Sequence, residues 1–260
     1  MSVSAPEAAP WWRPPPAAPA LGGGGVHVWE ADLDRPARPL AQLARTLSLE
    51  ERSRAGTFAF PRDRRRFIAA RGMLRFVLAG YLDCEPGAVA LRAGVNHKPE
   101  LASGDQLLRF NHSRSQDRAL YAVSRGRRVG VDLEALRPIP EAEQIAQRWF
   151  SPREQAALAA VPSEQRAGAF LRGWTGKEAY VKAVGAGLAG GLERVEVELA
   201  EPGPLRLRAI DGDPAGAAGW SLRALPGIPG FVAALVVEAP GGSLDGRTAE
   251  ARGIDLSRAH

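Results

Sequence analysis

The chain has 260 residues, 45% of them hydrophobic and 24% charged, which is the balance of a globular protein with room for one large domain or two lobes. A formal net charge of +5 favours an anionic partner but does not choose among nucleic acid, a membrane surface, a phosphorylated molecule and an acidic protein. The single cysteine, Cys84, excludes an intrachain disulfide and a cysteine-based metal site, and it favours a reducing, cytoplasmic compartment.

Both ends of the chain have compositions that do not favour a packed core. Residues 1–25 are rich in Pro, Ala and Gly and are predicted to form a disordered tail. Residues 240–260 are predicted to form a second loose tail. The sequence predicts neither a signal peptide nor a membrane span, because every apolar run is shorter than the ~20 residues that cross a bilayer.

The pattern of the first lobe begins with a strand. GVHVWEADL alternates, with Val26 and Val28 expected on one face and His27 and Trp29 on the other. A helix follows, and then Ser48 with Glu51 three residues later forms a capping box that opens a second helix. PRDRRRFIAARGMLRFVLAGYL has the apolar spacing of a long amphipathic helix, and several short strands come after it.

The second half of the chain repeats this order of elements. A strand at VGVDLEAL precedes a helical block from about residue 141 to 184, and four further strands follow. The fold class is therefore predicted to be α+β, with two similar lobes at residues 26–120 and 121–239. A cleft between two lobes is a common place for a ligand, and the candidate metal and catalytic motifs lie in the second lobe.

Two carboxylates stand two positions apart on the predicted strand VGVDLEAL. Asp132 and Glu134 therefore project from one face, while Val131 and Leu133 take the other, buried face. Like charges this close repel unless they are solvated or share a cation, and Mg²⁺ prefers carboxylate oxygens. The pair alone is compatible with a metal site and with a polar strand edge.

A second charged group lies on an otherwise apolar helix. In GWTGKEAYVKAVGAGL, Trp174, Glu178 and Lys182 are spaced four apart and share one face, with Lys177 beside Glu178. An ordinary Glu–Lys pair on a solvated helix face would explain the spacing. The apolar character of the surrounding residues favours charges that are directed at a ligand.

Three motifs occur in order along the chain: VGVDLE at 129–134, RWFSPREQAAL at 148–158 and WTGKEAYVKAVGAGL at 174–188. The ordered set resembles the 4′-phosphopantetheinyl transferases, and in particular their larger, monomeric, two-lobed class. The resemblance covers residues 26 to about 238. It implies two similar α/β lobes related by a pseudo-two-fold axis, with the active site in the cleft between them.

The resemblance also implies an activity. Such an enzyme transfers the 4′-phosphopantetheine group of coenzyme A to a serine of an acyl, peptidyl or aryl carrier protein and releases adenosine 3′,5′-bisphosphate. Asp132, Glu134 and Glu178 are implied to hold Mg²⁺, or Mn²⁺ in its place. Glu178 is also implied to take the serine proton, and Lys182 to stabilise charge on the phosphate. These four are the candidate catalytic residues.

Further residues are implied to contact coenzyme A. Lys98, in NHKPEL, would reach its nucleotide part, and Lys177 would be either a phosphate contact or a structural residue. The complete set of implied coenzyme A contacts is Arg54, Arg71, Lys98, Ser113, Arg114, Lys177 and Lys182.

The chain departs from the family pattern in FNHSRS at 110–115. Arg114 stands where the family has histidine, and His112 occupies the variable position before Ser113, where we assign it no role. Arg114 keeps a positive charge and adds a forked donor for phosphate. In NHKPEL at 96–101, His97 stands where the family has glycine.

Two other functions remain as alternatives. A coenzyme A-binding or nucleotide-binding regulator could share this fold without turnover, and the substitution at Arg114 leaves that open. A nucleic-acid-binding protein could use RDRRR at 62–66, but no aromatic residues are interleaved with its charges as a base-stacking platform. We expect a cytoplasmic monomer that binds neither nucleic acid nor membranes.

Overall fold

The computed structural model describes residues 21, 25–94, 98–102, 105, 107–185, 191–199 and 203–239, and the backbone of 249–251. The first half contains β1 (Val26–Asp32), α1 (Leu40–Thr46), α2 (Leu49–Gly56), α3 (Pro61–Leu82), β2 (Leu91–Ala93), β3 (Pro99–Leu101), β4 (Leu108–Ser115) and β5 (Arg118–Arg125). The second half contains β6 (Val129–Ala135), α4 (Ala142–Trp149), α5 (Pro152–Ala159), α6 (Ser163–Val184), β7 (Val195–Glu198), β8 (Arg206–Ile210), α7 (Pro214–Ala218), β9 (Trp220–Ala224), β10 (Phe231–Glu238) and β11 (Ala249–Ala251).

The two halves have the same topology. Strands β1-β5-β4 follow one another in the first sheet, as β6-β10-β9 do in the second, and all these neighbours are antiparallel. Each half also has one 22-residue helix, α3 or α6. The α+β class with two similar lobes is thus confirmed. The lobes divide in the turn at 126–128, after the boundary expected at residue 120, because β5 pairs with both β1 and β4.

One polar contact fixes the long helix in both lobes. Capping boxes form at Ser48–Glu51, as the sequence predicts, and at Ser151–Glu154. The glutamate of each box also binds a cation on the long helix: Glu51 lies 2.9 Å from the guanidinium of Arg75, and Glu154 lies 2.8 Å from Nζ of Lys177. Both cations stand fourteen residues after the first residue of their helices.

Three apolar clusters hold the layers together. One lies between α3 and the first sheet, one between α6 and the second sheet, and the third between the two sheets. Strand β1 contributes to both sides, since Trp29 packs toward α3 and Val26 toward the second sheet. The predicted alternation of β1 is confirmed, and His27 and Trp29 are buried like the two valines because α3 covers their face.

Several elements differ from the sequence prediction. Helix α7 was not expected within its Gly-rich and Ala-rich stretch; Asp213 caps its first turn by accepting hydrogen bonds from two backbone N–H groups. Strand β11 lies inside the tail expected to be loose and pairs in parallel with β1. The predicted disordered segment 1–25 lies almost entirely outside the described residues. No helix in the described part of the chain is long and apolar enough to cross a membrane.

Helix α6 lies directly against the backbone of β6 at Gly130. A Cβ atom at this position would come within 2.0 Å of the carbonyl oxygen of Ala179 and 2.5 Å of the backbone nitrogen of Ala183. Main-chain atoms of a helix cannot move aside as a flexible side chain can. Glycine at position 130 therefore allows the close approach that brings α6 over the carboxylates of β6.

We predict that Gly130→Ala destabilises the protein by about 3 kcal/mol or more, because the added methyl group overlaps helix backbone. Urea denaturation followed by circular dichroism measures this. Gly56→Ala is the matched control, since a Cβ atom there meets nothing within 4 Å and should leave stability nearly unchanged. Equal stability of the two variants would contradict the close-approach argument.

Candidate active site at the lobe junction

The two sheets meet where β4 runs beside β6 in the same direction. In the described residues this seam has no backbone ladder and is bridged by alternate side chains of β4, which share one face of the strand. Asn111 Oδ1 accepts from the N–H of Val131 at 2.9 Å. The hydroxyl group of Ser113 donates to Asp132 Oδ1 at 2.8 Å. The hydroxyl group of Ser115 donates to Glu134 Oε2 at 3.0 Å, and its oxygen accepts from the N–H of Ala135 at 3.1 Å.

Asp132 is the centre of the junction. Its carboxylate is 3% exposed, and Oδ1 binds both the Ser113 hydroxyl and Nζ of Lys182, the latter at 2.6 Å. Lys182 Nζ also donates to Ser113 Oγ at 2.9 Å, which closes a triangle of three polar groups. Oδ2 of Asp132 is buried and has no hydrogen-bond partner among the described residues. A buried, unpaired carboxylate oxygen is costly, and it indicates a group that receives a ligand.

Two further carboxylates face Asp132. Glu178 is 8% exposed; burial, followed by repulsion from Asp132, raises its pKa to about 7, although Lys182 acts in the opposite direction. Burial and the charge of Asp132 also raise the pKa of Glu134. Three carboxylates thus repel one another in a poorly solvated site, which is the condition that a cation would relieve.

Lys98 joins the first lobe to this site. Its Nζ donates to the carbonyl oxygen of Lys182 at 2.6 Å, in the last turn of α6, where carbonyl groups lack helical partners. Burial lowers the pKa of Lys98. Beside it opens a cavity of about 510 Å³, whose lining includes Arg92, Lys98, Pro99, Arg109 and Phe110.

Two of the predicted coenzyme A contacts, Arg54 and Arg71, lie at a neighbouring pocket in the first lobe. Arg54 and Arg71 line a small cavity of about 70 Å³, and their guanidinium groups each lie 5.9 Å from the ring centre of Phe67. Burial lowers the pKa of Arg71, and repulsion from Arg54 and Arg114 lowers it further, although Glu51 opposes this. Clustered guanidinium groups of this kind suit a phosphate.

His112 lies among the lysines of the junction and the arginines of the first lobe, a position that the sequence did not reveal. Its ring stacks on Tyr121 with 6.4 Å between ring centres. Burial lowers its pKa to about 3, and the charges of Arg71, Lys182, Arg114 and Lys98 act in the same direction. His112 is therefore a neutral imidazole among cations. Strand alternation places His112 on the same face as Arg114, but it does not show that the cations of α3 and α6 lie beside that face.

Lys177 does not belong to this cluster. Its side chain is 0% exposed, and Nζ binds Glu154 as well as the carbonyl oxygens of Trp149, Leu192 and Val195. Because four oxygens already surround the ammonium group, no donor remains for a phosphate. Of the two roles considered for Lys177, the geometry supports the structural one and not the phosphate contact. The hydroxyl group of Ser113 is likewise engaged: it donates to Asp132 and accepts from Lys182.

The expected metal ligands lie together, but they do not close around one point. Within the described ranges, no three acidic, histidine or cysteine side chains converge closely enough to hold a metal ion as they stand. The ammonium group of Lys182 neutralises Oδ1 of Asp132 instead. The donor set nevertheless fits a hard cation, since it offers carboxylate oxygens, one of them buried without a partner.

Fold and site together define a two-lobed α+β protein with carboxylates, lysines and arginines gathered at one junction, as a polyanionic ligand and its counter-ion require. A family model described as the 4′-phosphopantetheinyl transferase superfamily matches residues 128–236. The 4′-phosphopantetheinyl transferase HetI of Nostoc sp. is 44% identical over 230 residues, which cover 87% of this chain and 93% of that protein. The chain belongs to the 4′-phosphopantetheinyl transferase superfamily.

Other similarities are more distant. The 4′-phosphopantetheinyl transferase psf-1 of Bacillus pumilus is 32% identical over 174 residues, covering 67% of this chain and 73% of that protein. The crystal structure of Thermotoga maritima holo-[acyl-carrier-protein] synthase is 24% identical, covers 43% of this chain and 62% of that one, and has a TM-score of 0.33. A TM-score this low carries no structural argument.

We predict that Glu178→Gln stabilises the metal-free protein at alkaline pH. A carboxyl group whose pKa rises from 4.5 in the unfolded chain to about 7 in the folded one destabilises the fold as pH rises through that window. The gain should reach at most about 3 kcal/mol above neutral pH and shrink toward pH ~5. Urea denaturation in EDTA at both pH values measures it, with Glu85→Gln on the exposed surface as control. A gain that does not change with pH would contradict the prediction.

We also predict that Lys177→Met destabilises the protein by about 3–5 kcal/mol, because it leaves the buried carboxylate of Glu154 without its cation. Chemical denaturation at neutral pH measures the loss. The double variant Lys177→Met/Glu154→Gln removes the stranded charge and should recover part of the stability. A loss below about 1 kcal/mol in the single variant would show that the pair does not hold the helix.

Proposed function

We propose that this protein transfers the 4′-phosphopantetheine group of coenzyme A to a serine hydroxyl of a carrier protein, releasing adenosine 3′,5′-bisphosphate. The observation that carries the proposal is the buried, unpartnered Oδ2 of Asp132, which lies beside two further carboxylates and Lys182 at the seam between the lobes. Phosphoryl-type transfer needs alignment and charge neutralisation more than covalent chemistry from the protein, and this site offers both.

Coenzyme A would lie along the first lobe toward the junction. The pocket lined by Arg54 and Arg71, with the charge of Arg114 close enough to act on Arg71, suits a terminal phosphate, and the cavity beside Lys98 suits the nucleotide base. Lys182 lies 2.6 Å from Asp132 and can turn to the pyrophosphate as the bridging oxygen gains charge. Arg114 would provide the cationic contact that the family obtains from histidine.

Asp132, Glu134 and Glu178 would hold Mg²⁺, or Mn²⁺ in its place. Bound there, the cation would neutralise pyrophosphate charge. The support lies in the donor chemistry and in the mutual repulsion that raises the pKa values of Glu134 and Glu178. Lys182 would then give up its contact with Asp132 Oδ1 and bind phosphate oxygens.

Glu178 is the group we assign to the proton. The carrier serine oxygen attacks the phosphorus atom that bears the pantetheine arm, a new O–P bond forms, and the bond to the bridging pyrophosphate oxygen breaks. The serine proton passes to Glu178 directly or through one water molecule. Burial raises the pKa of this carboxyl group to about 7 without a cation, and a cation bound beside it would lower the pKa and keep Glu178 in the carboxylate form that accepts a proton.

The other parts of the proposal rest on charge and composition. A net charge of +5 complements both coenzyme A and carrier proteins of acidic character. Both lobes of the site belong to one chain, so we propose a monomer. The one cysteine, Cys84, is exposed and unpaired with any other cysteine of the sequence, in keeping with a reducing cytoplasm.

We predict that an apo carrier protein incubated with this protein, coenzyme A and Mg²⁺ gains the mass of one phosphopantetheine group. Intact-mass spectrometry measures the product. EDTA should abolish the gain, and Asp132→Asn should slow it on the order of 100-fold or more, since it removes charge at the centre of the site. Asp211→Asn makes the same change at an exposed position and should retain activity.

A different result would favour the second function. If coenzyme A binds but several carrier proteins gain no mass, the protein is a coenzyme A-binding regulator of the same fold. Arg114→His then provides the decisive comparison, because restored transfer would place the loss of turnover at that position.

A further inference from the structure

Ser115, at the end of β4, has no role in the function proposed above, yet both sides of its hydroxyl group are bound. Its oxygen accepts from the backbone N–H of Ala135 at 3.1 Å, and its O–H group donates to Oε2 of Glu134 at 3.0 Å. We propose that Ser115 is a positioning residue that holds the Glu134 carboxylate toward Asp132 and Glu178 and thereby sets the affinity of the site for a divalent cation. This inference rests on the proposed function.

The direction of the serine proton follows from its backbone contact. A hydroxyl group has one hydrogen, and its oxygen is fixed by the N–H of Ala135, a group that β6 itself holds in place. The hydrogen is then free to point only to an acceptor, and the Glu134 carboxylate occupies that direction. The serine thus fixes the Glu134 carboxylate relative to the backbone of β6.

Glu134 needs such a support more than Asp132 does. Asp132 has a short side chain and receives two hydrogen bonds, from Ser113 and Lys182. Glu134 is half-buried and has one more rotatable bond, and among the described residues its carboxylate receives a hydrogen bond from Ser115 alone. Ordering a free glutamate side chain costs conformational entropy, which cation binding would otherwise have to offset.

Two other contacts allow a positioning role of Ser115 to be distinguished from a general contribution to stability. Asn111 accepts only from a backbone N–H, that of Val131, so it joins the strands without touching a carboxylate. Ser124 is a buried serine at the end of β5, and its hydroxyl donates to the carbonyl oxygen of Arg127 at 2.6 Å, in the turn between the lobes. Ser124→Ala therefore removes a serine hydroxyl group that is more deeply buried than that of Ser115 and lies outside the carboxylate cluster.

The experiment measures Mn²⁺ binding to the whole protein by the loss of the free-ion electron paramagnetic resonance signal, with and without saturating coenzyme A. Hydrogen-bond partners of metal ligands typically change affinity by about 10–100-fold. Ser115→Ala should weaken Mn²⁺ binding to that extent and raise the cation concentration needed for half-maximal transfer. Ser115→Thr, which keeps the hydroxyl group, should restore both values. Ser124→Ala should change neither, even if it lowers the melting temperature equally.

The outcomes distinguish this inference from the function on which it rests. If the wild-type protein transfers phosphopantetheine and binds Mn²⁺, but Ser115→Ala binds the ion with unchanged affinity, the positioning role is overturned and the function stands. If Ser124→Ala weakens Mn²⁺ binding as much as Ser115→Ala does, the effect is one of stability and the inference again fails. If the wild-type protein binds no Mn²⁺ with or without coenzyme A, the proposed cation site fails, and the role of Ser115 fails with it.

Discussion

The burial of the Asp132 carboxylate at the seam between two lobes is the constraint on which the rest of this structure depends. A buried charge is tolerated only when partners surround it, and here they come from β4 of the first lobe and α6 of the second. These elements meet because Gly130 lets α6 lie against the backbone of β6. The same close approach of α6 to β6 leaves the carboxylates poorly solvated. The packing of the helix and the electrostatics of the site therefore both depend on Gly130.

The internal repeat of the fold supports the site without duplicating it. The fourth residue of β1 is Trp29, whereas the fourth of β6 is Asp132. The sixteenth residue of α3 is Phe76, whereas that of α6 is Glu178. Apolar residues in the first lobe thus stand where the second has its acids. What the two lobes share is the glutamate–cation contact that fixes each long helix.

The sequence predicted the features that depend on local patterns. The capping box at Ser48–Glu51, the strand that carries Asp132 and the order of elements all follow from spacing, as does the grouping of Glu178 with Lys182 on one helix. It did not predict contacts that depend on distant parts of the chain. Lys177 has the same local pattern as a ligand-binding lysine, and only the carbonyl groups that surround its ammonium group show otherwise. Ser115 and His112 acquire their neighbours only when β4 lies between β6 and α3.

The seam between β4 and β6 has a mechanical consequence. A backbone ladder resists shear through many equivalent bonds, whereas the described seam is joined by a few side chains that can rotate. The seam can therefore adjust by rotation of Asn111, Ser113 and Ser115, within the limit set by the apolar cluster between the two sheets. A ligand that contacts both lobes would add bonds across this seam and leave the interior of each lobe unchanged.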